Sequence, residues 1–366
     1  MKKILILGSG FGAVSAAESL LKNLASEHQI TMVSRSPRFV FHPDLVDLAF
    51  GNHTIDDISH DLREAMKKRR IRFVQGEVAR VDPHKRRVKI AHGVLGGRMQ
   101  YDYLIFGLGG RLATERIPGF FEHAHHPLTV EAALKFRQAI HSFDEGRAVV
   151  GSCEGARLEA TVCKTASMLS THFEDRMRTG RTKITIVSPR RKADELDGSD
   201  IGRGFQQALD EQNIEVLTEF SVNRITKKSL QTSAGARIDY DLLMLLPPLV
   251  GPSAMSGMGI TDPDGFIRVN RNMGVEGMAG LYAVGDCVSL PGPKMSHMAV
   301  SQGEVAGANL AAEIESRISQ IEYDHKTMLA LDQAGQDSIL NKQFWMNKVR
   351  VQEARDSNKA VNKAKA

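Results

Sequence analysis

Thiols are few in this chain: among 366 residues, only Cys153, Cys163 and Cys287 are cysteine. Three cysteines at irregular spacing exclude a disulfide framework and a zinc site. The run His123-Ala-His125-His126 lacks the further ligands that a metal centre needs. No metal is therefore expected, and that run reads as a surface turn before Pro127. Long apolar runs are missing too. Nothing approaches the roughly eighteen residues required to cross a bilayer. The apolar start behind Lys2-Lys3 breaks at Gly8, too soon for the core of a secretory signal, and the expected placement is cytoplasmic. Nor does one charge dominate, since 48 Lys and Arg against 43 Asp and Glu leave +5. The basic residues are scattered and gather only near the C-terminus, so no nucleic-acid partner is expected.

What is present begins at the first residue. The apolar run Ile4–Leu7 reads as a buried parallel strand that breaks at Gly8-Ser-Gly10-Phe-Gly12-Ala13 and continues as an Ala-rich helix. This is the spacing a dinucleotide site requires. Gly8 permits the tight turn, Gly10 lets backbone approach a pyrophosphate, and Ala13 allows close helix–strand packing. The helix N-terminus offers N–H groups and the positive dipole end to phosphate. The second strand, Gln29–Val33, ends in Ser34-Arg35, where many such sites place an acid for ribose hydroxyls. Ser34 is left to make a weaker ribose contact.

The remaining pattern predicts an α/β fold made of two Rossmann-like units with parallel sheets, one inserted in the other. Residues 1–145 and 253–320 form the first unit, 146–252 the inserted one, and 321–366 a C-terminal helical segment. Strands are expected at Ile71–Gly76, Val78–Asp82, Val88–His92, Tyr101–Phe106, Ala148–Gly151, Lys183–Val187, Ile214–Leu217 and Tyr240–Leu246. Helices are expected at Asp61–Arg70, Glu154–Ser170, Ile201–Gln212 and Met298–Ser316. Within the inserted unit, Gly151-Ser-Cys153 puts cysteine where backbone would approach a pyrophosphate. The strand Lys183–Val187 leads to Ser188-Pro189-Arg190-Arg191 with no acid to read a ribose. Both features argue against NADH there, although Arg190 and Arg191 suit a 2′-phosphate.

Four stretches together resemble the two-dinucleotide-domain flavoprotein disulfide reductases: the opening glycine turn, YDYLIFGLGG, GLYAVGDC and the helix that follows. The resemblance implies FAD, with Gly8, Gly10, Gly12, Ala13, Gly107, Gly109 and Gly285 in its turns and Asp286 on its ribityl chain. Within that superfamily, FVFHPDLVDLAFG, Pro247-Pro248, DGFIRVN and PKMSHMAVSQG are similar to segments of the sulfide:quinone oxidoreductase and flavocytochrome c sulfide dehydrogenase family. Pro43 falls in its loop beneath the flavin. Cys153-Glu-Gly155-Ala-Arg-Leu-Glu159 looks like the family's "CxGPxxE" redox motif, with Ala156 in place of Pro. The other cysteines of that family fall near Leu128 and Leu329 in this chain, so Cys153 has no evident partner thiol.

That likeness implies oxidation of sulfide or another reduced-sulfur compound, with electrons passing through FAD to quinone or to a redox protein. Cys153 is then the sulfur-accepting thiol, expected at a helix N-terminus that lowers its pKa. Packing is its alternative role, and also the expected role of Cys287. Glu159 is lifted toward catalysis only by the motif. Lys294 brings positive charge to the flavin pyrimidine end or is a solvated lysine, and His42 and His297 flank the same region. Two other readings stay open: a type II NADH:quinone oxidoreductase, and a flavin-binding electron-transfer subunit without the sulfide relay. The C-terminal mixture of Leu340, Phe344 and Trp345 with Lys342, Lys348 and Arg350 suits a membrane surface. The same face would also dock on the body or in a homodimer.

Overall fold

The computed structural model describes residues 1–93, 97–189, 212–319 and 321–325. The side chains of His92, Gly93 and Glu159 also lie outside the described residues. So do the expected helix at 201–212 (all but its last residue), Arg190, Arg191, and the chain beyond 325 with its aromatic–basic segment.

A seven-stranded sheet runs in the order Leu281–Ala283, Tyr103–Phe106, Lys3–Leu7, Gln29–Ser34, Arg72–Asp82, Arg87–Gly93, Gly97–Gln100. The first five strands are parallel, and the last three form an antiparallel meander. The runs expected at 71–76 and 78–82 are one strand whose register shifts twice, so its first half serves the parallel core and its second the meander. Ile4, Leu5, Ile6 and Leu7 are all buried because both faces of this strand are covered.

The helices Phe11–Asn23 and Ser296–Ile314 pack closely on one face. Glycine makes that approach possible. A Cβ at Gly303 would lie 2.4 Å from the Gly12 carbonyl oxygen, and one at Gly307 would lie 2.5 Å from that of Ala16. Ser15 Oγ donates to the Val300 carbonyl at 2.8 Å and Ser19 Oγ to that of Glu304 at 2.7 Å, fixing the register.

The second sheet is wholly parallel, in the order Glu215–Leu217, Thr182–Val187, Gly146–Ser152, Leu242–Leu246. A three-stranded antiparallel meander over Val222–Ile225, Ser229–Thr232 and Arg237–Asp239, not expected from the pattern, accompanies it. The helix Val130–Ser142, counted with the first unit on sequence grounds, buries Ala133, Phe136 and Ile140 in the same core as Val150 and Leu242. His125 and His126 are not in a free surface turn. His125 bridges to Met244 and stacks on Phe136 at 6.0 Å, and burial pushes His126 down to about 4. The two crossovers between the units pair antiparallel, Leu112 with Leu249 and Arg111 with Val250, just beyond Pro247-Pro248.

Candidate functional site

Three glycine turns meet at the carboxyl ends of the first sheet's parallel strands. Gly8 has φ +106°, and a Cβ there would lie 1.9 Å from the Gly107 carbonyl oxygen. Gly107 in turn approaches Ala13, where the two Cβ atoms would be 2.8 Å apart. Gly12 faces the third turn, where a Cβ would lie 3.0 Å from Val284 Cγ2 and 3.2 Å from the Gly285 nitrogen. These glycines therefore join the turns to one another. Gly10 and Gly109 differ, because a Cβ at either meets nothing within 4 Å. Gly10 is also the N-cap of the first helix, with no side-chain cap and no acid in the first turn. An open backbone approach at an uncapped helix N-terminus fits a pyrophosphate.

The rim of this cleft is polar. Ser34 Oγ lies 2.7 Å from Ser9 Oγ at the end of the second strand. Arg35 is exposed beside it, and its carbonyl accepts from Gln75. Phe11 stacks edge-on against Phe39 at 4.9 Å and Phe41 at 5.6 Å, which holds the following loop against the helix start. That loop carries His42 and Pro43 in a short 3-10 turn, and both are reached by solvent. Surrounding protein nonetheless lowers the His42 pKa by desolvation. Lys164 of the second unit donates to the Pro43 carbonyl at 3.2 Å and pairs with Asp47 at 2.5 Å, pinning this loop from the far side.

Asp286 stands in the 3-10 turn Gly285–Cys287. Burial pushes its carboxyl up to about 6, with Lys294 opposing the shift. Lys294 is not a solvated lysine. It is only 7% exposed, its Nζ donates to the Val288 carbonyl at 2.5 Å, and it lies 4.9 Å from the Phe266 ring centroid. Burial pushes it down to about 8 against the pull of Asp286. Asp286 binds more protons folded than unfolded between about pH 4 and 6, so stability falls as pH rises through that window. Asp286→Asn apoprotein should accordingly gain in Tm relative to wild type between pH 4 and pH 7. A gap that closes over the same range in a thermal-melt series contradicts this.

Cys153 is placed differently from expectation. The helix predicted from Glu154 begins at Glu159, and Gly155 at φ +80° turns the chain in between. Cys153 therefore lies six residues short of a helix N-terminus and gains nothing from its dipole. It is 1% exposed, and burial pushes its thiol up to about 12 rather than down. Glu159 opens that helix, and Cys153 precedes it in the turn. Cys287 packs as expected, fully buried with Sγ near the Val284 and Phe106 carbonyls. None of the three cysteines is in a disulfide, and Cys153 and Cys287 lie in separate cores.

Residues 2–303 match the pyridine nucleotide-disulphide oxidoreductase family. The chain belongs to that family. It is an oxidoreductase, and several relatives share the architecture. It is 24% identical over 304 residues to the sulfide-quinone reductase of Aquifex aeolicus, covering 79% of this chain and 69% of that protein. It is 25% identical over 325 residues to the external alternative NAD(P)H-ubiquinone oxidoreductase B1 of Solanum tuberosum, covering 79% of this chain and 55% of the plant protein. The chain thus spans little more than half the length of that relative. The solved Aquifex aeolicus sulfide:quinone oxidoreductase superposes with a TM-score of 0.79 at 22% identity, over 86% of this chain and 78% of that one. At that identity the likeness establishes the fold.

Two contributors to this oxidoreductase's site carry weak sequence signals. Gln302, 4% exposed, accepts from the Gly285 nitrogen at 2.7 Å and so holds the Asp286 turn to the last helix. A glutamine inside an Ala-rich helix reads as surface unless its facing turn is known. Arg157 donates to the Leu290 carbonyl at 2.9 Å and lies 4.8 Å from the Phe266 ring, opposite a segment 133 residues away. His297 is buried with no partner for Nε2 among the described residues.

Proposed function

We propose that the chain is an FAD-dependent oxidoreductase that takes electrons from sulfide or another small reduced-sulfur compound and passes them to a quinone. The observation that carries the reading is the bond from the Lys294 nitrogen to the Arg157 carbonyl at 2.9 Å, which joins the loop after Cys153 to the loop beside Asp286. The loop that follows the thiol and the loop that carries the cation are thereby joined through their backbones.

FAD supplies reversible two-electron chemistry when bound. Gly8, Gly10, Gly12, Ala13, Gly107 and Gly109 would admit its pyrophosphate, with Ser34 and Arg35 at the ribose side and Asp286 toward the ribityl chain. Lys294, buried beside Asp286, would offset negative charge at the reduced pyrimidine end. The Cys153 thiolate would take sulfur from hydrosulfide as a persulfide, releasing one proton and two electrons, the electrons going to the flavin. With Cys287 in a different core, an external thiol or sulfite would remove that sulfur. The second unit would serve as scaffold. Its helix starts seven residues after the strand Gly146–Ser152, so no helix N-terminus meets a pyrophosphate at that turn.

The burial of Cys153 favours a second reading: a flavin-binding subunit without the sulfide relay, delivering electrons to a redox protein. Anaerobic titration of the yellow protein separates the possibilities. Bleaching by sulfide and not by NADH supports the proposal. Bleaching by NADH alone replaces it with a type II NADH:quinone oxidoreductase, and bleaching by neither favours the subunit. No described helix is long and apolar enough to cross a membrane, so a quinone would be met from the bilayer surface.

A further inference from the structure

The chain stays at the site after the helix Ser296–Ile314 ends. Asn309 Nδ2 donates to the Asn272 carbonyl at 3.2 Å and to the Ile321 carbonyl at 2.8 Å, and the Tyr323 nitrogen donates to the Arg271 carbonyl at 2.8 Å. These bonds turn the segment 321–325 back along the helix toward its N-terminal half. Tyr323 is 5% exposed; burial pushes its hydroxyl up to about 12, with the Gln302 side chain opposing the shift. His325 Nδ1 lies 3.4 Å from that hydroxyl, and His325 Nε2 lies 2.8 Å from the Pro291 carbonyl oxygen. His325 lines the same small pocket as Asp286, Lys294 and Gln302.

The donors and acceptors run in one direction. Gln302 Oε1 already accepts from the Gly285 nitrogen, which leaves its amide N–H to donate to the Tyr323 oxygen. His325 Nε2 faces a carbonyl and so carries the ring proton. In the neutral ring, Nδ1 is then the acceptor for the Tyr323 hydroxyl. The result is a continuous path from the Asp286 turn through Gln302, Tyr323 and His325 to Pro291, three residues before Lys294. The Asp286 end is a single 3-10 turn, and the Pro291 end is a loop with no regular secondary structure.

We infer that Tyr323 and His325 are positioning residues, a clasp that holds the Asp286 turn and the Lys294 loop in register for the flavin. The inference rests on the flavin reading above. It assigns cofactor retention and tuning to a segment beyond the family match, which ends at residue 303.

The test uses the full-length holoprotein and reads the FAD dissociation constant by fluorescence, the flavin midpoint potential and Tm. Tyr323→Phe removes one hydroxyl at nearly constant volume and should raise the dissociation constant about fivefold, the effect of one hydrogen bond, with a shifted potential. His325→Ala should do the same. His325→Asn, whose amide oxygen can take the place of Nδ1, should recover most of the affinity. Tyr282→Phe is the structural control. Its hydroxyl donates to Glu313 at 2.9 Å, at the other end of the same helix, so it should lower Tm and leave both flavin readouts unchanged. If Tyr323→Phe and His325→Ala keep the wild-type dissociation constant and potential, the clasp is wrong while the flavin reading stands. A wild type that takes up no FAD overturns both.

Discussion

Gly10→Val should give a folded, soluble and colourless protein. A Cβ at Gly10 meets nothing within 4 Å, and the residue has φ −76° and ψ −175°, a conformation valine adopts freely. The cost to the helix is that of a poorer N-cap, on the order of 1 kcal/mol. The valine methyls would instead occupy the space through which a pyrophosphate reaches the helix N-terminus, and FAD affinity should fall roughly 100-fold or more. Flavin released on denaturation and counted per chain is the readout, alongside circular dichroism for the fold. Gly8→Ala makes the contrast. There φ is +106° and the new Cβ would lie 1.9 Å from a backbone oxygen, so the variant should fail to accumulate as soluble protein. A Gly10→Val protein as yellow as wild type would remove the turn from the cofactor site.

Cys153→Ser should abolish reduction of the flavin by sulfide, while Cys163→Ser and Cys287→Ser should largely keep it. The pH dependence is the more discriminating result. With its thiol pushed up to about 12, Cys153 is almost wholly protonated near neutrality. The reactive thiolate therefore increases about tenfold per pH unit. The single-turnover rate should climb with pH across the range 7 to 9 without a plateau, and the serine variant should show no such climb. A thiol activated by a helix N-terminus would give the opposite profile, flat above pH 7. If Cys153→Ser bleaches as fast as wild type, the thiol has no redox part, and the subunit reading takes its place.

Both results turn on how local the determining forces are. The opening strand, turn and helix were legible because their requirements are short-range. Four apolar residues need burial, a left-handed turn needs Gly8, and close helix–strand contact needs Ala13. The same holds for the strand ends at Phe106 and Ala283, where glycine follows an apolar run. Cys153 was misplaced for a related reason. An apolar strand followed by glycine and a helix-compatible stretch predicts an immediate helix, and within Glu154–Leu158 only Gly155, whose left-handed turn delays the helix to Glu159, signals otherwise. The meander at 222–239 was missed because its strands are three or four residues long, too short for their alternation to stand out.

By itself, the sequence determined the two parallel α/β units, the glycine turns and the residues available at each, since backbone sterics and apolar periodicity act over a few residues. Only the tertiary structure decided which groups are charged and which are held. Lys294 is buried over Phe266 because a loop residue 28 positions upstream supplies the ring. Asp286 is raised and the Cys153 thiol is kept protonated by desolvation, which depends on everything packed around them rather than on their neighbours in the chain. Gln302 reaches the Gly285 nitrogen only because Gly303 and Gly307 let two helices close to backbone contact. Burial and long-range hydrogen bonding are properties of the folded arrangement, and they set the chemistry of this site.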